Sequence, residues 1–356
     1  MFFQLFESGL WDEAERHTSQ ALHCGEPDPE ALYVQGLLEL RRGNRQQGEL
    51  WIRKAEEQFP QLATLFDHRT ALLEQQGQAT RIAVYAARYR EWLKFRRVSG
   101  FVVSYPKSGR TWLRFLLGRA LSPNSDDKLL ETDLLTQRLS QPVVHFTNDD
   151  YPAWKSIERM DRDKRRFDSK RVMLLVRDPR DVVVSYYFQF TKRGDREAAN
   201  EPFSGTLSDF LRHPVGGFRS IVKFLNIWAE SADLPSKFCI LRYEDLRADP
   251  HSHLTHTLAF FGLTAENQNV EKAVAAGQFE KMRQLEADNH LESFRLRPGS
   301  QADPESFKTR RGVIGGYRDY LGKADIEWMD EQLKELEPRF GYCPKRELTT
   351  LGKRRA

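Results

Sequence analysis

Residues 103–112 read Val-Ser-Tyr-Pro-Lys-Ser-Gly-Arg-Thr-Trp, and five of them, Lys107, Ser108, Gly109, Arg110 and Thr111, supply what an oxyanion needs. Lysine and arginine bring charge, two hydroxyls bring hydrogen bonds, and the lone glycine allows close backbone approach. The chemistry expected of such a loop is retention of a phosphate or a sulfate. Its flanks say how it is held. Gly100 to Tyr105 is short, apolar and β-branched, as a buried parallel strand should be. Trp112, Leu113, Phe115, Leu116 and Leu117 then recur at helical spacing, so the loop sits at a helix N-terminus. Unpaired N–H groups and the positive end of the helix dipole gather there and favour an anion. An ordinary strand-to-helix turn, with Pro and Gly as punctuation, is the plainer alternative.

The same layout recurs. Arg171 to Val176 is an apolar run that ends in Arg177-Asp178-Pro179-Arg180-Asp181 and continues into Val182 to Phe188. Arg177 falls at the carboxyl end of a strand, where open parallel sheets bind ligands. It could equally pair with Asp178 or Asp181. Ser185 lies about two helical turns later and reaches the same ligand only if that helix lies across the site.

Positioning two such loops takes a scaffold, and the chain of 356 residues, 40% hydrophobic, is long enough for two domains. Candidate strands at Phe101 to Tyr105, Val143 to Phe146, Val172 to Val176 and Phe238 to Leu241 alternate with helix-compatible stretches. The fold class expected is α/β, a central parallel sheet with helices on both faces. Residues 192–216 and 286–312 are polar and long for connections, as lids or substrate walls often are. This domain is placed at residues 98–345, before a basic tail, 346–356, that contains Lys353, Arg354 and Arg355.

Residues 1–97 carry helical spacing and no strand-like run. Gly9 and Gly43, Ala14 and Gly48, and Ala21 and Ala55 each stand 34 positions apart, the period of the tetratricopeptide repeat. The region resembles that repeat over about one and a half units, through Pro60, and chance spacing in a helical extension is the alternative. A protein partner bound through this region is the corresponding expectation.

Charge and cysteine content narrow the class. With 55 Lys+Arg against 51 Asp+Glu the net charge is +4, too small to argue for nucleic acid. Cys24, Cys239 and Cys343 are too few and too scattered for a disulfide framework. No apolar run approaches the ~20 residues needed for a membrane span, and the first residues lack a basic leader. The expectation is a soluble, cytoplasmic protein. No His or carboxylate cluster predicts a metal.

Taken together, these segments resemble the sulfotransferases that use 3'-phosphoadenosine 5'-phosphosulfate, PAPS, as donor. Lys107 to Thr111 is similar to their 5'-phosphosulfate loop, and the spacing from Arg177 to Ser185 is similar to their 3'-phosphate element. Leu241-Arg242-Tyr243-Glu244-Asp245-Leu246 resembles the strand end that brings a tyrosine near the adenine. Arg310-Arg311-Gly312, followed by Gly315 and Tyr317, resembles the late basic loop that returns to the 3'-phosphate. The match spans roughly residues 98–345.

The resemblance implies in-line transfer of a sulfuryl group to an acceptor hydroxyl or amine, with positioning and charge stabilisation dominant. Lys107 would stabilise the leaving phosphate oxygen. Trp112 and Tyr243 would flank the adenine, although Trp112 also suits plain core packing. Arg110 stands where many relatives have threonine, so it either tightens donor binding or faces an acidic acceptor.

A general base is usual in the family, and His145 is the histidine in the matching region, Pro142 to Asp150. Many relatives place that histidine directly after a threonine, where this chain has Thr147 followed by Asn148. In that register Asp149 or Asp150 becomes the candidate instead. A small-molecule, glycan or lipid acceptor fits the class. Phe188, Phe190, Phe203, Phe210 and Phe218 would line an apolar acceptor pocket or, as such spacing more often means, belong to the core. Two other functions stay open on the residues: a P-loop phosphotransferase, disfavoured because Lys107 precedes the lone Gly109, and a non-catalytic nucleotide-binding module.

Overall fold

The computed structural model describes residues 2–23, 28–58, 81–149, 151–193 and 203–342. Cys24, Pro60, Asp150, Cys343 and the tail from 346 lie outside them. The chain divides into two compact units, Met1–Val98 with Asp163–Ser169, and Ser99–Arg162 with Lys170–Ala356.

The first unit is helical: Phe2–Glu7, Trp11–His23, Pro29–Arg41, Arg45–Gln58 and Arg81–Arg97. Gly9 and Gly43 do the same work in it. Both sit at positive φ, 77° and 88°, in the turns that precede the helices beginning at Trp11 and Arg45. The Pro29–Arg41 and Arg45–Gln58 helices meet at glycine, since a Cβ added to Gly36 would lie 2.9 Å from the Gly48 carbonyl oxygen. Buried Phe3, Tyr33, Tyr89 and Trp92 form an aromatic core, with ring centroids 4.6 to 5.1 Å apart along the series.

The second unit is α/β, and its sheet is wholly parallel. Strands β1 (Gly100–Val103), β2 (Val144–Thr147), β3 (Arg171–Val176) and β4 (Lys237–Arg242) lie in the order β2-β1-β3-β4. The central strands are apolar throughout because both faces are covered. One face, carrying Val102, Val144, Phe146, Met173, Leu175 and Leu241, packs on Leu113, Leu116 and Leu117 of the Arg110–Leu121 helix and on the helices at 250–261 and 267–276. On the other, Phe238 stacks on Trp228 of the Phe218–Glu230 helix at 6.4 Å. Chain order reverses between β1 and β3, so a crevice opens where those strands end, and the loops after them are those at Lys107 and Arg177. Among the described residues no helix is long and apolar enough to cross a membrane.

Candidate active site

A cavity of about 260 Å³ lies at the carboxyl ends of the strands. The Lys107 loop forms its floor. Gly109 caps the Arg110–Leu121 helix at φ 99°, with no side chain bonding the first helical N–H groups, so those donors remain for a ligand. Lys107 has a φ of 73°, a left-handed backbone that costs a non-glycine residue about 1–2 kcal/mol. Strain of that kind persists where the surroundings over-determine it, and it collects at functional sites. The Lys107 Nζ donates to Gln189 Oε1 at 3.2 Å.

Tyr243, just past β4, closes over the loop. Its Cδ2 lies 2.5 Å from where a Gly109 Cβ would stand, so glycine is required by contact as well as by backbone angle. Trp112 meets the Tyr243 ring edge-on at 5.9 Å and donates its indole N–H to the Gly277 carbonyl at 2.7 Å. Both rings line the cavity.

Arg177 joins the loops. Its guanidinium lies over Tyr243, 4.6 Å from the ring centroid. Nη1 donates to the Lys107 carbonyl at 3.4 Å and Nη2 to the Val313 carbonyl at 3.3 Å, with Asp181 3.6 Å away. The pairing of Arg177 is therefore with Asp181, while Asp178 is held by Arg180 at 2.7 Å. The Arg177 Nε is buried with no partner, a donor aimed at nothing in the protein. Asp181 accepts from the N–H groups of Gly315 at 2.8 Å and Tyr317 at 3.0 Å, which ties the late loop to the Pro179–Lys192 helix. That helix lies across the site, and Ser185 lines the cavity with Arg177.

Arg310 pairs with Glu305 at 2.9 Å, and its guanidinium lies 4.4 Å from the Phe188 ring centroid. Arg311 pairs with Asp319 at 2.7 Å. Gly312 has φ 63°, and an added Cβ would stand 2.6 Å from the Phe279 ring. The structure thus brings Lys107, Gly109, Arg110, Thr111, Trp112, Arg177, Ser185, Tyr243, Arg310, Arg311 and Gly312 to one cavity. Ser108, 1% exposed, is not among the residues lining it.

His145 is not brought there. In the parallel register His145 pairs with Phe101 and Thr147 with Val103, so His145 sits two residues below the strand end, about 6–7 Å down the sheet. Its Nδ1 lies 3.1 Å from Asp133 Oδ2. Burial alone would raise the Asp133 pKa, but the His145 hydrogen bond and charge hold it down at about 2. Asn148, the residue past the strand end, reaches the cavity instead, with its Oδ1 buried and unpartnered. Asp149 is buried, at φ 47°, and does not line the cavity. Of the five phenylalanines none lines it, and Phe190, Phe210 and Phe218 are core residues at 7%, 1% and 0% exposure.

Sequence reasoning missed several residues. Lys308 lines the cavity, and its backbone is held by Glu286, which is wholly buried. Glu286 accepts from the Lys308 N–H at 2.6 Å, from the Thr309 N–H at 2.8 Å, and pairs with Arg193 at 3.3 Å. Burial, then the cations Lys107, Arg193 and Arg110, push the Lys308 ammonium well below the lysine range. Tyr151 and Trp154 stack at 5.1 Å and 21° and form an aromatic wall. The wall is one turn of 3-10 helix, Pro152–Trp154 capped by Tyr151, which puts residues three apart on one side but is too short to show a period in the sequence.

The cavity is strongly cationic. Among the described residues lining it are seven lysines and arginines and a single carboxylate, Asp181. Such a surface, cradled on a helix N-terminus and flanked by Trp112 and Tyr243, suits a multiply charged ligand with a flat ring.

Residues 99–341 match the family model of the sulfotransferase domain. The chain is 26% identical over 283 residues to cytosolic sulfotransferase 17 of Arabidopsis thaliana, covering 71% of this chain and 78% of that protein. It is 27% identical to flavonol 3-sulfotransferase of Flaveria bidentis, covering 66% and 80%. Among solved structures it is similar to a mouse sulfotransferase complexed with PAP, with a TM-score of 0.46 and 20% identity over 67% of this chain and 84% of that one.

Proposed function

The chain belongs to the sulfotransferase family, and from that premise we propose that it transfers a sulfuryl group from PAPS to a hydroxyl of a small-molecule acceptor. The observation that carries this reading is Arg177, which ties the Lys107 carbonyl to the Val313 carbonyl beneath Tyr243 and keeps a buried Nε unpartnered. A guanidinium so placed, with Ser185, Arg310 and Arg311 on the same cavity, suits the terminal 3'-phosphate. At the other end, Lys107 and the free N–H groups of Gly109, Arg110 and Thr111 suit the phosphosulfate. The adenine would lie between Trp112 and Tyr243. Gly109 and Gly312 keep the cradle open, since a Cβ at either would meet a ring within 3 Å.

In the transfer, the acceptor oxygen forms a bond to sulfur as the bond from sulfur to the 5'-phosphate oxygen breaks, and that oxygen keeps the electron pair. Lys107 stabilises the charge gathering on it. The acceptor's proton departs, and the products are a sulfate ester and adenosine 3',5'-bisphosphate, PAP. His145 does not line the cavity and lies two residues below the strand end, which speaks against its taking that proton. With Lys107, Arg110 and Lys308 around the cavity, a phenolic hydroxyl of ordinary pKa near 10 is more acidic there and can lose its proton to water.

The test is to incubate the protein with PAPS and a panel of phenols and alcohols and to measure PAP release. Acceptor-dependent PAP is the expected result. Absence of PAP binding by calorimetry would refute the reading.

A further inference from the structure

The donor does not account for all the charge in the cavity. Arg177, Arg310 and Arg311 are each already opposed by a carboxylate, and they fall at the end proposed for the 3'-phosphate. Arg110 is different. It heads its helix, lines the cavity, and among the described residues has neither a carboxylate nor a hydrogen-bond acceptor on its guanidinium. Burial and the charge of Arg295 lower its pKa to about 10, against a raising effect from Tyr151. One turn along, Arg114 is 7% exposed, lies 4.7 Å from the Phe146 ring centroid, and is driven down by burial and then by Arg110 and Arg295. Guanidinium groups stay protonated in proteins, so this crowding is retained as unfavourable energy that an anion would relieve. Lys308 lies against the same group, its Nζ donating to the Arg295 carbonyl at 2.8 Å.

We infer that the acceptor is itself an acid: a hydroxylated, ring-bearing compound whose anionic group, a carboxylate, phosphate or sulfate, seats on Arg110 while its ring lies along Tyr151 and Trp154. Arg110, Tyr151 and Trp154 line the same cavity, so the charge and the aromatic wall face one ligand. This inference rests on the sulfuryl-transfer reading and narrows it from any hydroxyl compound to hydroxy acids. Arg114 and Arg295, which do not line the cavity, act as positioning residues that raise the local potential.

The experiment uses a matched pair of probes, 3-(4-hydroxyphenyl)propionate and its methyl ester, titrated by calorimetry into the PAP-saturated full-length protein. One charge-assisted hydrogen bond predicts that the acid binds at least about tenfold tighter than the ester. Arg110→Thr should bring that ratio close to one, Arg110→Lys should restore most of it, and Arg295→Met should lower it severalfold. Circular dichroism melts establish that each variant is folded. Equal binding of acid and ester by the wild-type protein overturns the inference alone. So does an Arg110→Thr variant that loses PAP affinity and keeps the acid preference, because Arg110 would then serve the donor. Failure to bind PAP overturns the transfer reading and this inference with it.

Discussion

Gly109→Ala should damage the site through two separable terms. At φ 99° an L-residue is strained, by about 1–2 kcal/mol. The added methyl would also stand 2.5 Å from Tyr243 Cδ2 and 3.0 Å from Cε2, an overpacking that costs about 1–3 kcal/mol. The total loss of stability is then about 2–5 kcal/mol. Tyr243 cannot relieve the clash cheaply, because Trp112 stands against its edge and Arg177 against its face. A displaced ring takes Arg177 with it, away from the Lys107 and Val313 carbonyls. PAP should therefore bind more than about tenfold weaker, which corresponds to 1.4 kcal/mol. Making the same change in a Tyr243→Ala background removes the clash and leaves the backbone term, so Gly109→Ala should cost only about 1–2 kcal/mol there. Urea denaturation of the four proteins gives the coupling, expected at about 1–3 kcal/mol. Additive effects, or a Gly109→Ala protein as stable as wild type, would refute the argument that Tyr243 and the loop backbone define one another.

Lys107→Ala should abolish PAP release from PAPS while PAP itself still binds within about tenfold, since one charge among several is lost from the donor's grip; full activity would exclude Lys107 from the chemistry. Glu286→Gln should destabilise the second unit by about 3–5 kcal/mol in urea, because it removes the charge that pairs with buried Arg193 and weakens the acceptor of the Lys308 and Thr309 N–H groups. His145→Ala should keep transfer within a few-fold of wild type, a loss above a hundredfold showing that the histidine reaches the acceptor after all. The same variant carries a pH signature. Asp133 is depressed in the folded protein, so its contribution is present above the ordinary carboxylate value and fades as pH falls from about 4 to about 2. Both partners are more than a third exposed, which limits the difference between wild type and variant to about 1 kcal/mol. That difference should shrink across this window in acid-unfolding curves.

The strands were legible because buried parallel strands read as unbroken apolar runs, and each observed strand falls within a residue or two of the expected one. That two loops would meet at the strand ends was legible because Lys, Ser, Arg and Thr around one glycine, and an arginine at a strand end, are local patterns. His145 was not, since two levels of sheet separate a residue at the strand end from one inside it, and register appears only when β1 and β2 are paired. Glu286 and Lys308 were opaque for a related reason. Their roles depend on a carboxylate in one helix reaching backbone N–H groups 22 and 23 positions later, and no spacing rule covers a contact of that kind.

The bracing of the site also bears on why an uncompensated cation can persist in it. Asp181 holds Gly315 and Tyr317, Glu244 accepts from the Asp178 N–H at 3.0 Å, and Glu286 holds Lys308 and Thr309. Each of these three carboxylates is thus committed to backbone donors of a loop. None of these is free to swing onto Arg110. A protein that needed only structural neutrality could place an acid beside Arg110, as it does for Arg310 and Arg311. Carboxylates spent on fixing loops, together with a guanidinium left without one on the cavity wall, describe a surface whose countercharge arrives with the substrate.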